Sequence, residues 1–241
     1  MIQNYDIGKL PRYIQIKHQL QQFLADTNWQ FDKAVPSEQE LAVKYAVSVG
    51  TIRKAVEGLV EEGVLIKYQG KGTFLKHPAF IKSSMTRFYL RVKNGDFETP
   101  NSIMRCATQV EADKKINAIL GSPADQPLIY LERVRTVESE VILSDKIWLS
   151  LEKFSRLLEL PLAQFGNLLY PFYFQQCGQL VVSAKEQMTI LPSHSDPYLT
   201  NNHEKAVVKI CRTAKGLDGS IIEYRESYGL AENFYYETVI T

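Results

Sequence analysis

No stretch of about 18 consecutive apolar residues occurs in this 241-residue sequence, so no helix able to cross a bilayer is expected. The opening MIQNYDIGKLPRY lacks the basic-then-apolar layout of a secretory signal. The expected compartment is therefore the cytoplasm, with no membrane partner. Cysteine is scarce: Cys106, Cys177 and Cys211 are odd in number and far apart, which fits reduced core thiols better than a disulfide frame. The four histidines, His18, His77, His194 and His203, form neither an HExxH motif nor a pair with a CxxC, so no metal site and no cofactor is expected. Net charge is scarce too, at +1. Binding of nucleic acid through bulk charge is excluded, and any such binding must be local.

A hydrophobic fraction of 45% is enough to bury real cores, in one large domain or two ordinary ones. Residues 9–26 place Tyr13, Ile16, Leu20, Phe23 and Leu24 at three-and-four spacing, an amphipathic helix entered through Pro11. In VPSEQELAVKYAV, Ser37 followed by Glu40 reads as a capping box, with Leu41 and Tyr45 facing inward. Ser48 caps a third helix that Gly63 ends. VLIKYQGKGTFLK then reads as strand, glycine turn and strand. Three short helices and a β-ribbon make a winged helix-turn-helix over residues 1–76. HPAFIKSS, with its proline and small residues, marks a linker at 77–83. From residue 84 to 241 longer β-rich runs take over, among them LIYLERVRTV, VILSDKIWL, QLVVSAKEQMTIL, KAVVKICRTA and SIIEYRESYGL, with helical stretches near 111–120 and 151–175. This predicts an antiparallel α+β domain, and an α+β class for the whole chain.

On the third helix Ile52, Val56, Leu59 and Val60 define the buried side, leaving Gly50, Arg53, Lys54 and Glu57 on the other. The first turn carries free backbone N–H groups, the Ser48 and Thr51 hydroxyls and the Arg53 and Lys54 charges. That combination suits phosphates and base edges, and readers of this kind insert the start of the recognition helix into the major groove. Glu61 and Glu62 lie about 12 Å or more back along the axis, where their repulsion is mostly screened. Glu57 shares the face of Arg53 one turn behind and is placed to brace it or to reject certain bases. In the wing, Gly70 and Gly72 allow close approach to a phosphate or the minor groove, with Lys71 at the tip. Residues 44–76 hold six basic groups (Lys44, Arg53, Lys54, Lys67, Lys71, Lys76) against three acids (Glu57, Glu61, Glu62). Such helix patterns also occur in protein-binding modules, and an Arg-Lys pair is commonly solvated surface. Two caps, a basic turn and a glycine wing in this order favour DNA.

In the second half, alternation puts Ile129, Leu131, Arg133 and Arg135 on one side of a strand, and Val141, Leu143, Asp145, Ile147 and Leu149 on one side of the next. A three-residue turn at ESE pairs 133 with 145 and 135 with 143. Buried charges cost several kcal/mol unless paired, and two arginines sharing one aspartate leave positive charge in excess. A site for a small anionic ligand follows, unless these rows lie at a half-exposed edge and the arginines snorkel.

The run from LPRYIQIKHQL to YQGKGTFL resembles the GntR family of bacterial transcription regulators. The resemblance implies operator contacts from Ser37, Gln39, Ser48, Gly50, Thr51, Arg53, Lys54, Gly70, Lys71, Gly72 and Thr73. Gln39 and Val49 stand where relatives commonly carry arginine, which implies altered operator preference. YLERVRTVESEVILSDKIWL, LLYPFY and GLDGSIIEYRESY resemble the effector-binding UTRA domain of the family's HutC branch. This implies a chorismate-lyase-like antiparallel sheet, a homodimer and an anionic metabolite effector, a sugar phosphate or organic acid. The effector would be bound by Thr86, Arg87, Phe88, Arg133, Arg135, Asp145, Tyr170, Glu223 and Tyr228. Leu168 replaces an expected serine, Asp145 a more usual glutamate, and Gly229 stands near the place of a late tyrosine with Tyr228 beside it. The reading is a ligand-responsive repressor on a two-half-site operator, not an enzyme. A constitutive DNA-binding protein with a vestigial ligand domain, or a lyase-like enzyme fused to a DNA-binding module, are the alternatives.

Overall fold

The computed structural model describes residues 10–27, 29–76, 88–90, 100–199 and 205–236. The expected linker at 77–83 lies outside them. The head is built from α1 (Arg12–Asp26), α2 (Glu38–Tyr45) and α3 (Val49–Glu61), followed by β1 (Leu65–Tyr68) and β2 (Gly72–Leu75). Both caps form: Ser37 Oγ accepts from the Glu40 N–H while Glu40 accepts from the Ser37 N–H, and Ser48 Oγ accepts from the Thr51 N–H. Gly63, at φ 72°, turns the chain after α3. Ile16, Leu20 and Leu24 of α1 pack with Leu41 of α2 and Ile52, Val56 and Leu59 of α3 in one buried cluster. The wing is an antiparallel ribbon in which Tyr68 pairs with Gly72. A third segment joins it, because the Val35 N–H donates to Thr73 O at 2.7 Å and Ala34 bridges Phe74.

The C-terminal part is organised by six antiparallel strands: β4 (Asn101–Val110), β5 (Leu128–Val137), β6 (Glu140–Ser150), β7 (Val181–Leu191), β8 (Val207–Gly216) and β9 (Ile221–Leu230). Their order across the sheet is β4-β5-β6-β9-β8-β7. β4 is an edge strand that hydropathy reading does not single out, since NSIMRCATQV alternates weakly. α4 (Lys114–Leu120), α5 (Leu151–Phe154) and α6 (Leu169–Cys177) complete this part, and a short pair joins β3 (Phe88–Leu90) to β10 (Phe234–Tyr236). One sheet face is packed by Phe154 of α5, Leu157 and Phe165 of the following 3-10 turns, and Leu169, Phe172 and Tyr173 of α6. These residues meet Leu131, Ile147 and Leu149.

The β5–β6 hairpin pairs Arg133 with Asp145 and Arg135 with Leu143, as alternation predicts, but by another route. Its turn has two residues, Glu138 and Ser139, both at positive φ (47° and 70°), the backbone of a primed hairpin turn. Glu140 is already in the ladder opposite Val137, and the residue saved at the turn reappears as a bulge at Ile142, between the pairs Thr136–Val141 and Arg135–Leu143. One shift cancels the other below Arg135. Above it the bulge turns Val141 to the opposite face, where it packs near Tyr228 and Leu230, correcting its expected place beside Leu143.

Gly229 is required by packing. A Cβ there would lie 2.5 Å from Phe234 Cε2 and 2.6 Å from Ile142 O. The Phe234 ring fills the space that a late side chain on β9 would take. Gly229→Ala is expected to cost about 1–3 kcal/mol by overpacking, read as a lowered denaturant midpoint. Gly166→Ala, with nothing within 4 Å of its Cβ, stays within about 0.5 kcal/mol.

Candidate functional site

At the head, the start of α3 and the wing carry the residues expected to meet DNA. Gly50, Arg53, Lys54 and Glu57 are all exposed, as are Ser37, Gln39, Ser48, Gly70, Lys71 and Gly72, while Thr51 and Thr73 are half-buried. Gly70 and Gly72 adopt φ of 73° and 114°, conformations that side-chain-bearing residues resist. Arg53 departs from expectation: its Nε donates to Glu38 of α2 at 3.0 Å, and Lys67 Nζ of the wing lies 3.5 Å from the other Glu38 oxygen. The brace is therefore Glu38, not Glu57. Lys44 sits over the Phe23 ring at 2.9 Å and Lys76 lies beside Gly63, so both turn to their own domain. Glu62 pairs with Lys17 of α1 at 2.6 Å, which gives one of the helix's acids a structural partner far from its first turn.

In the sheet domain the pairing register lines up one face across four strands. Arg133 and Arg135 on β5, Asp145 on β6, Glu223, Arg225 and Ser227 on β9 and Arg212 on β8 share it. Asp145 is buried and accepts from Arg133 Nε at 2.8 Å, from Arg133 Nη2 at 2.5 Å and from Ser227 Oγ at 2.5 Å. Arg135 Nε lies 3.5 Å from the same Asp145 oxygen and makes no hydrogen bond, and its side chain remains 29% exposed. Burial by itself would raise the Asp145 carboxyl, but the Arg133 and Arg135 guanidiniums outweigh it and hold it well below the usual range.

Beside this pair, Glu223 is fully buried and accepts from Tyr170 at 3.2 Å, Tyr173 at 2.8 Å and Arg225 Nη2 at 2.9 Å. Arg225 Nε is buried without a hydrogen-bond partner. Arg212 pairs with Glu186 of β7 and donates to the Tyr170 hydroxyl at 3.2 Å. Burial and the Glu223 carboxylate push the Tyr173 hydroxyl well above its usual value, so it stays a donor.

Arg133, Arg135, Asp145, Tyr170 and Glu223 thus come together, and Tyr228 does not. It alternates to the opposite sheet face, where its hydroxyl donates to Glu226 at 2.6 Å and its ring stacks on His194 at 3.9 Å. Thr86 and Arg87 lie outside the described residues, as does the Phe88 side chain. The β3 backbone that carries residue 88 pairs with β10, whose Phe234 packs against Val208 and Ile210. Leu168 occupies the N-cap of α6 and supplies no side-chain bond. Sequence reasoning missed Tyr173, Arg225, Ser227, Arg212 and Glu186. Arg225 and Ser227 were findable at two and four places beyond Glu223, and Tyr173 three beyond Tyr170 on a helix.

Two family models match, one described as bacterial regulatory proteins, gntR family, over residues 12–75, the other as the UTRA domain over residues 99–235. The chain belongs to the UTRA-bearing GntR regulators. It is 28% identical over 183 residues to an Escherichia coli (strain K12) protein described as a "probable fructoselysine utilization operon transcriptional repressor", covering 74% of this chain and 72% of that one. To the mannosyl-D-glycerate transport/metabolism system repressor MngR of the same organism it is 23% identical, covering 90% and 91%. The crystal structure of PhnF from Mycobacterium smegmatis shares the fold, at a TM-score of 0.54 and 18% identity over 94% of this chain and 99% of that one. This regulator joins a DNA-binding head to an effector-type domain, and among its described residues no helix is long and apolar enough to cross a membrane.

Asp145 tests the charge pairing. Asp145→Asn leaves Arg133 buried without its counter-ion and is expected to cost about 3–5 kcal/mol at neutral pH. The wild-type carboxyl is depressed below its unfolded value of about 4, so its contribution is full above that pH and is lost as pH falls. The stability gap between the two proteins should hold from pH 8 to 5 and begin to narrow only below about pH 4, shrinking further as pH approaches the depressed folded-state value, in urea titrations read by fluorescence.

Proposed function

We propose that this regulator is a homodimeric repressor whose two heads hold an operator of two half-sites and release it when a small anion binds the sheet domain. The heads would comprise residues 1–76 and the effector domain residues 84–241, joined by 77–83. The observation that carries the effector reading is Arg135. Its guanidinium competes with Arg133 for one aspartate, has an Nε without a hydrogen bond, and keeps part of its side chain open to solvent. A carboxylate or phosphate beside it would supply the missing acceptor. Repression is supported by the repressor names of the two Escherichia coli relatives, both of systems that handle small organic compounds. At the head, Ser48, Thr51 and Lys54 at the start of α3 would enter the major groove, with Ser37 and Gln39 of α2 and Lys71 and Thr73 of the wing on phosphates.

Gel shifts on the DNA upstream of the protein's own gene, with panels of organic acids and sugar phosphates, test this reading. One metabolite should release the wild type. Arg135→Met should bind the DNA equally well and need at least about tenfold more of that metabolite, the loss expected for one charge-assisted bond; release at the wild-type concentration would remove Arg135 from the site. Glu38→Gln frees Arg53 and Lys67 from their shared carboxylate. It should tighten DNA binding several-fold and steepen its salt dependence by up to about one phosphate equivalent, measured by anisotropy from 50 to 200 mM salt.

A further inference from the structure

The two regions are in direct contact, and the contact is made by the helix that closes the polar cluster. Tyr170 and Tyr173 of α6 hold Glu223, and the next residue, Phe174, lies edge-to-face on Phe31 of the head, with ring centroids 5.0 Å apart. Phe31 belongs to the short segment that runs into the wing, where Ala34 bridges Phe74 and the Val35 N–H bonds Thr73 O. Leu180 and Val182, just beyond α6, and Leu217, beyond β8, are buried in the same cluster as the core of the head. A single nine-residue helix therefore touches the buried carboxylate on one side and, on the other, Phe31 of the segment whose Ala34 and Val35 join the wing.

We propose that α6 is the coupling element of this regulator. Glu223, Tyr173 and Phe174 form a latch through which the state of the polar cluster sets the position of the wing. This rests on the reading that the cluster takes the effector and the head takes DNA, and it assigns Glu223 a different part from a ligand contact. Its carboxylate is already occupied by two tyrosines and an arginine, in full burial. An anion drawing on Arg225, whose Nε is unbonded, competes with Glu223 for that guanidinium and so disturbs the acceptor that fixes α6. Since Phe174 follows Tyr173 by one residue, about 100° around the helix, rotation or retreat of α6 cannot leave the Phe31 contact unchanged. Tyr173 and Phe174 are positioning residues, acting through Glu223 and Phe31.

The test uses amide hydrogen exchange of the full chain, read by mass spectrometry, and needs neither ligand nor operator. Tyr173→Phe removes one hydroxyl and keeps the ring. Exchange should quicken about fivefold, the worth of one hydrogen bond, in peptides covering residues 169–177 and also in those covering residues 29–35 and 72–75. Adding Phe174→Ala should leave the first change and abolish the second. Gly229→Ala, which lowers stability away from α6, should leave the wing no faster than the rest of the head. Overturning results are an unchanged α6 in Tyr173→Phe, a quickened α6 with an unchanged wing, or a wing response that persists without Phe174. Failure of the DNA-binding reading would show separately, as a wild-type chain that retains no duplex from a random pool.

Discussion

The sheet domain is governed by one requirement, that charges buried on a sheet face must meet partners there. Arg133 and Asp145 face each other across a single β5–β6 pair, and Ser227 on the neighbouring strand completes the carboxylate. A slip of one residue would send every one of these side chains to the other face, so the ion pair fixes the register as firmly as the apolar residues around it. The bulge at Ile142 is the local cost: a two-residue turn suited to strand twist would misalign Arg133 and Asp145 by one place, and the extra residue restores them. Arg135 is the remainder of this arrangement, held near an aspartate whose better hydrogen bonds are taken.

The head solves a related problem in an exposed setting. Arg53 and Lys67, on different elements, converge on Glu38, which belongs to the first turn of α2 and already favours a positive helix end. Exposed pairs of this kind contribute little to stability. They do hold two long side chains beside the first turn of α3, which would lower the conformational entropy lost if that turn enters the groove as proposed. A phosphate would have to displace Glu38 to claim them, so on the proposed DNA-binding geometry the carboxylate that organises these side chains would also weaken non-specific attraction.

Much of this was legible in the sequence, because local rules and the buried pattern agree. The capping box at Ser37, the cap at Ser48, the glycine wing and the pairing of 133 with 145 all follow from spacing of two, three and four residues. What spacing does not carry is proximity between distant segments. Glu38 is fifteen residues before Arg53, outside the stretch in which charges would naturally be counted, and only the packing of α2 on α3 brings it close. Tyr228 and Gly229 differ by one place, yet alternation puts them on opposite faces. The role of Gly229 depends on Phe234, reached through a return of the chain after β9. Strand β4 stayed hidden because an edge strand need bury only part of one face.

The departures from the family pattern also become physical. Where the resemblance implies a side chain on β9, the Phe234 ring lies 2.5 Å from the position a Cβ would take, so apolar surface replaces a polar contact. Where it implies a serine, Leu168 stands at the uncapped start of α6. Neither Leu168 nor Gly229 offers a side-chain hydrogen bond, while the guanidiniums of Arg133, Arg135, Arg212 and Arg225 share one sheet face. On the proposed effector reading, recognition would rest more on charge than on many directional contacts. A ligand can bias two states only by its difference in affinity between them. If the effector is the anion proposed above, that difference would arise where the charge is, in the redistribution of guanidinium partners among Asp145, Glu186, Glu223 and the incoming anion. Glu223 is the member of this set that also holds α6, and so it is the one whose partners matter for the head.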